Sequence, residues 1–233
     1  TSSVNLPAMP TLAEVFGVSS KPVLSYINRT EVDDRFIGAI ASDKQIIVYG
    51  SSKQGKTALV SKHLPYGKNI VVSLTPKTAV VDIYHHVLSE AGIAILGPTT
   101  EKTSTEATIG FGARVKAMIP FLGSGEAEAK GSVGSGSERS KLYEQIPINL
   151  ELPQQVADLL KRTQCRKWII LENFHYLTED AQRQLAFDLR AFQELGVRFV
   201  VLGVWREKNR MAQFNGDLLD RLIEVPVEPW KEE

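Results

Sequence analysis

The chain has 233 residues, 43% of them hydrophobic and 23% charged, with 27 Lys and Arg against 27 Asp and Glu. That length and composition suit one sizeable globular domain and exclude a repeat solenoid or a disulfide-stapled miniprotein. Zero net charge gives no bulk attraction to nucleic acid or to an anionic membrane, so neither partner is favoured.

The single Cys165, with no Cys/His spacing for a structural metal, points to a reducing, cytoplasmic compartment. No apolar run reaches the roughly 18 residues that span a bilayer, and residues 1–22 lack the charged and apolar blocks of a signal peptide. Those first residues read as an irregular N-terminal arm with a short helix over 12–16, and 23–233 as the core.

Phe36, Ile37 and Ile40 fall at helical spacing and predict a helix over 33–41, followed by the β-branched strand Gln45-Ile-Ile-Val-Tyr49. Helix-forming residues then run over 56–63, break at Pro65 and Gly67, and give way to a second strand over 69–74. A helix over 78–91 carries Val80, Ile83, Tyr84, Val87 and Leu88 on one stripe, with Gly92 as its stop. His85 and His86 are adjacent on that helix, the wrong spacing for a shared metal ion.

Residues 97–140 hold 8 of the 17 glycines, a composition that cannot bury much. They read as a flexible insertion, either a mobile loop or a loosely held hairpin around 111–121. Order resumes with a short strand over 145–150 and a helix over 153–162 that has proline in its first turn.

The apolar strand over 167–172 ends in Glu172, and an amphipathic helix over 178–195 opens with Thr178-Glu-Asp and stops at Gly196. A buried strand over 198–204, a short polar helix over 207–214 and a last strand over 222–227 complete the chain. Strands alternating with helices predict an α/β fold whose parallel sheet is covered on both faces.

The most specific signal is Gly50-Ser51-Ser52-Lys53-Gln54-Gly55-Lys56-Thr57, which matches the P-loop pattern G-x-x-x-x-G-K-[ST] and sits between a predicted strand and a predicted helix. Backbone N–H groups of such a loop and of Ala58 cradle phosphate, which they can approach only where glycine removes the Cβ. Lys56 is placed to reach the β- and γ-phosphates and the Thr57 hydroxyl to take one position on Mg²⁺, so ATP/ADP and Mg²⁺ are the implied ligands. Lys53 is an additional candidate at a variable position of the loop.

A P-loop needs a carboxylate at the end of a neighbouring strand to orient the metal, and Glu172 supplies it. The segment Ile169-Ile-Leu-Glu172-Asn173-Phe-His175-Tyr-Leu177 resembles the Walker B region of AAA+ and STAND ATPases. It departs from that pattern in having Glu172 where aspartate is usual and Asn173 where many members carry the water-polarising glutamate. Asn173 cannot act as a base, so the resemblance implies ATP binding with slow hydrolysis, or normal hydrolysis where Glu172 is itself the base.

The resemblance extends to Tyr26, Ile27 and Arg29, which match a segment that grips adenine, and to Arg206, which matches a γ-phosphate sensor at the end of a strand. Arg221 matches an arginine finger acting on a neighbouring subunit in a homo-oligomer; its structural alternative is a salt bridge with Asp217 or Asp220. The implied fold is a three-layer P-loop NTPase core with a central parallel β-sheet and a Gly/Ser-rich insertion. The helical lid that normally follows such a core is missing from this chain, which reads as a fragment with any effector or sensor domain outside it.

These features imply a nucleotide-dependent switch that controls assembly or an attached effector in bacterial-type signalling or defence. One alternative is the ATPase of a DNA transaction such as transposition or replication initiation, for which Lys161, Arg162, Arg166 and Lys167 would form a local basic patch. The other is a non-catalytic interaction protein that keeps nucleotide only as a structural ligand.

Overall fold

The computed structural model describes residues 29–96, 114–120, 143–204 and 220–227. The short helices read over 12–16 and 207–214 lie outside them. Eight strands and five α-helices appear in the order α1 (Thr30–Ile40), β1 (Gln45–Tyr49), α2 (Lys56–His63), β2 (Ile70–Ser73), α3 (Val80–Glu90), β3 (Ala94–Leu96), β4 (Arg114–Pro120), β5 (Tyr143–Asn149), α4 (Pro153–Arg162), β6 (Ile169–Glu172), α5 (Glu179–Glu194), β7 (Phe199–Gly203) and β8 (Leu222–Pro226). Two 3₁₀ turns, Tyr66–Lys68 and Phe174–Tyr176, follow α2 and β6.

Every residue of β1 and β7 is buried, and strands apolar on both sides must be covered on both faces. They lie inside a five-stranded parallel sheet ordered β2, β6, β7, β1, β8. The two-residue strand period divides the core cleanly. Ile46, Val48, Ile170, Val200 and Leu202 meet Phe36 and Ala39 of α1 and Leu59 and Val60 of α2. Ile47, Tyr49, Ile169, Leu171, Phe199 and Val201 face the other way, onto α3, α4 and α5. This is the three-layer arrangement implied by the alternating pattern.

Helix α1 begins earlier than its apolar spacing indicates, because the Asp33 carboxylate accepts the Arg29 N–H at 3.0 Å and so serves the orphan donors of the first turn. At α5 the Thr178 hydroxyl accepts from Ala181 N, as its sequence position predicts. His85 and His86 are exposed on α3.

Of the glycine-rich region only 114–120 is described, and it is a packed strand where a mobile loop or a loosely held hairpin is expected. Strand β4 pairs antiparallel with β3 on one side and β5 on the other, forming a separate three-stranded sheet. Val115, Ala117 and Ile119 are buried in the same cluster as α3 and α4, so part of 97–140 packs as core. The flanking glycines dilute the composition, whereas the buried Val115, Ala117 and Ile119 fall at the strand period. The partner of this strand is Tyr143–Asn149 rather than a local return within 111–121, whose ends lie outside the described residues.

One buried polar residue ties the layers together. Gln45 is 1% exposed at the start of β1, donates from Nε2 to Leu189 O and Val197 O, and accepts the Phe199 N–H at 2.7 Å. It thereby ties the body of α5 to the start of β7. Gln45→Leu leaves the Val197 carbonyl and the Phe199 N–H without these bonds, while Leu189 O keeps its place in the helix ladder; with each such group costing about 1–3 kcal/mol, the variant is expected to lose about 2 kcal/mol or more in urea unfolding, with an unchanged m-value.

Candidate functional site

The loop between β1 and α2 lies at the C-terminal edge of the sheet. Gly50 has φ of 152°, and a Cβ there would sit 2.4 Å from Val227 O, so no other residue fits as β8 runs past the loop. Gly55, at φ of 76°, is the N-cap of α2, a left-handed position at which glycine carries no steric penalty. Ser52 and Lys53 are exposed, with Lys53 at φ of 61°, while Ser51, Gln54 and Ala58 are half-buried.

Lys56 folds back over this loop, donating from Nζ to Gly50 O at 3.0 Å and to Ser51 O at 2.6 Å. Burial holds its ammonium below the ordinary lysine value. The amino end of α2 adds the positive end of its dipole at the same place.

Glu172 ends β6 beside this helix. Its Oε1 accepts the Thr57 hydroxyl at 3.3 Å and the Tyr66 hydroxyl at 2.6 Å. Asn173 follows at φ of 62°, and its amide donates to Ser73 Oγ at the end of β2. His175 closes the small cleft that Lys56, Thr57, Glu172 and Asn173 line. Its Nδ1 accepts the Val204 N–H at 3.3 Å, so the neutral ring carries its proton on Nε2.

Strand, glycine-bounded loop, lysine-led helix and a carboxylate on a parallel strand against the threonine occur together. This is the P-loop NTPase fold. Neither a family model nor a curated protein matches the chain. Among solved structures it is similar to Drosophila ORC bound to AT-rich DNA and Cdc6, at 11% identity and a TM-score of 0.43 over 87% of this chain and 56% of that one. A Walker-type ATPase of Pyrococcus abyssi gives 12% identity and a TM-score of 0.45, covering 89% and 55%. Bacteroides Pif1 in complex with ADP-AlF4 gives 17% and 0.34, covering 88% and 43%. The chain thus spans about half the length of each of these three structures.

The remaining candidates separate. Arg29 reaches the loop, donating from Nη2 to Gln54 O at 3.1 Å, whereas Tyr26, Ile27 and Arg206 lie outside the described residues. Arg221 sits before β8, a full strand length of about 15 Å from the P-loop edge. It pairs with Glu194 at 3.1 Å and Gln193 at 2.8 Å rather than with Asp220 beside it; Asp217 lies outside the described residues. The α5 carboxylate stands closer because the helix ends against the start of β8.

Tyr66, Ser73 and Val204 were not legible as site residues, since each acts through partners far away in sequence: 106 positions separate Tyr66 from Glu172. His175 lies within the segment that resembles Walker B, and the sequence alone assigns it no role. Burial, and after it the Lys56 charge, lower the His175 pKa. In an NMR titration His175 should therefore have its midpoint below the usual value of about 6.5. Lys56→Ala should raise that midpoint part-way back, because it removes a like charge; an unmoved midpoint would place the two groups apart.

Proposed function

We propose that this chain is an AAA+-type ATPase core that binds ATP on Gly50–Thr57 and hydrolyses it slowly with Mg²⁺. The observation that carries this reading is the convergence of Lys56, Thr57 and Glu172 at one edge of the sheet. The oxygens of Thr57 and Glu172 are hard donors of the kind Mg²⁺ takes.

Bound there, Mg²⁺ would neutralise charge developing on the phosphates. Lys56 would exchange its two loop carbonyls for phosphate oxygens, and Glu172 would orient water on the metal. Asn173 can orient a water through its amide and cannot take its proton, which supports a switch rather than a fast motor. We read that switch as one controlling assembly or an attached effector in signalling or defence, with Tyr26, Ile27 and Arg29 toward adenine and Arg206 toward γ-phosphate. Arg221, a strand length from its own loop, would act only on the nucleotide of another copy.

A DNA-transaction ATPase is the second reading. It is favoured by Lys161, Arg166 and Lys167, which line one cleft with Arg198 and Arg221 at the sheet end opposite the P-loop. Arg162 is not part of that cleft; its nearest carboxylate is Glu144, at 3.9 Å. Affinity for a labelled duplex that falls steeply with salt, and falls further in Lys161→Glu/Arg166→Glu, would favour this reading. No affinity at low salt would favour the effector switch.

Three variants test the ATPase reading. Lys56→Ala should weaken ATP binding at least 100-fold in calorimetry with the melting temperature preserved, since the side chain contacts the loop and not the core. Glu172→Gln should retain nucleotide and lose Mg²⁺-dependent turnover. General-base help is worth roughly 10²–10⁴-fold where geometry is good, so Asn173→Glu should raise single-turnover hydrolysis visibly. A fast wild type with no gain from glutamate would mean that Glu172 is already the base.

A further inference from the structure

Among the described residues the Glu172 carboxylate accepts two hydrogen bonds, and both fall on the same oxygen. Thr57 and Tyr66 donate to Oε1, while among the described residues none donates to Oε2. The 2.6 Å separation to the phenol lies in the range of a charge-assisted O–H···O⁻ bond, the strong kind that fixes geometry.

The turn that presents Tyr66 is itself fastened to the acid strand. The Asn69 amide donates to Pro65 O at 3.0 Å, its Oδ1 accepts the Trp168 N–H at 3.1 Å, and β2 then pairs with β6 from Ile70↔Ile169 to Ser73↔Glu172. The Tyr66 ring packs against the core cluster of α1 and α2. A hydroxyl on a seated ring, in a turn pinned to β6, meets the one carboxylate that ends that strand.

We infer that Tyr66 is a positioning residue of the nucleotide site, locking Oε1 of Glu172 so that Oε2 is the acceptor presented to metal-bound water. The inference rests on the ATPase reading above. Without the phenol, Glu172 keeps only the longer 3.3 Å hydrogen bond from Thr57. The carboxylate would then sample several rotamers, and organising it would be charged against metal binding.

The experiment is a Mg²⁺ titration of fluorescent ATP-analogue affinity, read by anisotropy on wild type, Tyr66→Phe, Glu172→Gln and the double variant. In wild type Mg²⁺ should tighten binding. In Tyr66→Phe the affinity without Mg²⁺ should stay within twofold, and the half-saturating Mg²⁺ concentration should rise about tenfold. A destabilised variant would lower the amplitude and leave that concentration in place, so folding loss does not imitate the effect. In the Glu172→Gln background Tyr66→Phe should add nothing further, since its only route to the metal is gone. An unchanged half-saturation in Tyr66→Phe, or an equal shift in both backgrounds, overturns the role of Tyr66 and leaves the ATPase reading standing. A wild type that binds no nucleotide overturns the ATPase reading, and this inference with it.

Discussion

A parallel sheet buried on both faces admits polar side chains only at its strand ends, and this constraint organises the molecule. All five residues of β1 and all five of β7 are buried, so neither strand has a position at which chemistry could stand along its length. Functional groups must collect where the strands stop, outside the carboxyl ends of the sheet. Glu172 and the P-loop do so, but on strands that are not neighbours, because β7 lies between β6 and β1. Two strand spacings make a gap of roughly 9.5 Å. The first turn of α2 crosses it from one side with Thr57, and His175 meets Val204 at the end of β7 within it.

Helix α2 is consequently anchored at both ends, and both anchors come from the start of α1. Arg29 donates to Gln54 O just before the helix begins. Four residues on, the buried Asp33 accepts Lys62 Nζ at 3.0 Å and His63 Nε2 at 2.7 Å at the helix end. Buried carboxylates are tolerated only when paired, and this one is met by the side chains of Lys62 and His63 and by the Arg29 N–H. The segment of α1 and the residue before it therefore act as a brace along α2. A displacement of that segment would reach the loop through Gln54 before reaching it through the core.

What could be read from sequence alone was whatever depends on near neighbours in the chain. The strand run at 45–49, the helix over 153–162, the Thr178 cap and the P-loop are local patterns, and the structure places each of them as read. The acidic strand was legible because a P-loop requires one and Trp168-Ile-Ile-Leu-Glu172 was available. The second sheet was hidden, because β4 finds β5 across a glycine-rich stretch whose composition masks the alternation of Val115, Ala117 and Ile119. Tyr66 was hidden for a deeper reason. A tyrosine after Pro65 is an ordinary turn residue until the sheet has brought β2 beside β6, and only that pairing turns its hydroxyl into part of a site. Gln45 shows the same thing in the core, since a lone amide at the head of an apolar strand gives no sign of the three backbone groups that it serves.

The same reasoning changes the meaning of Asn173. Set beside the AAA+ pattern, it is a missing glutamate, a loss of chemistry. In the structure it is also a residue at φ of 62°, the left-handed region in which asparagine is several-fold enriched and most other side chains are strained. The chain must turn there because β6 has ended and the Phe174–Tyr176 turn follows at once, burying Phe174 and sending His175 toward Val204. The asparagine thus meets a backbone requirement while its amide meets Ser73. A longer carboxylate at this position would bear about 1–2 kcal/mol of backbone strain in addition to losing that contact. The sharp turn that aims His175 into the cleft and the amide in place of a base beside Glu172 therefore share one backbone conformation, so the slow turnover proposed above would belong to the fold of this segment as much as to the chemistry of one side chain.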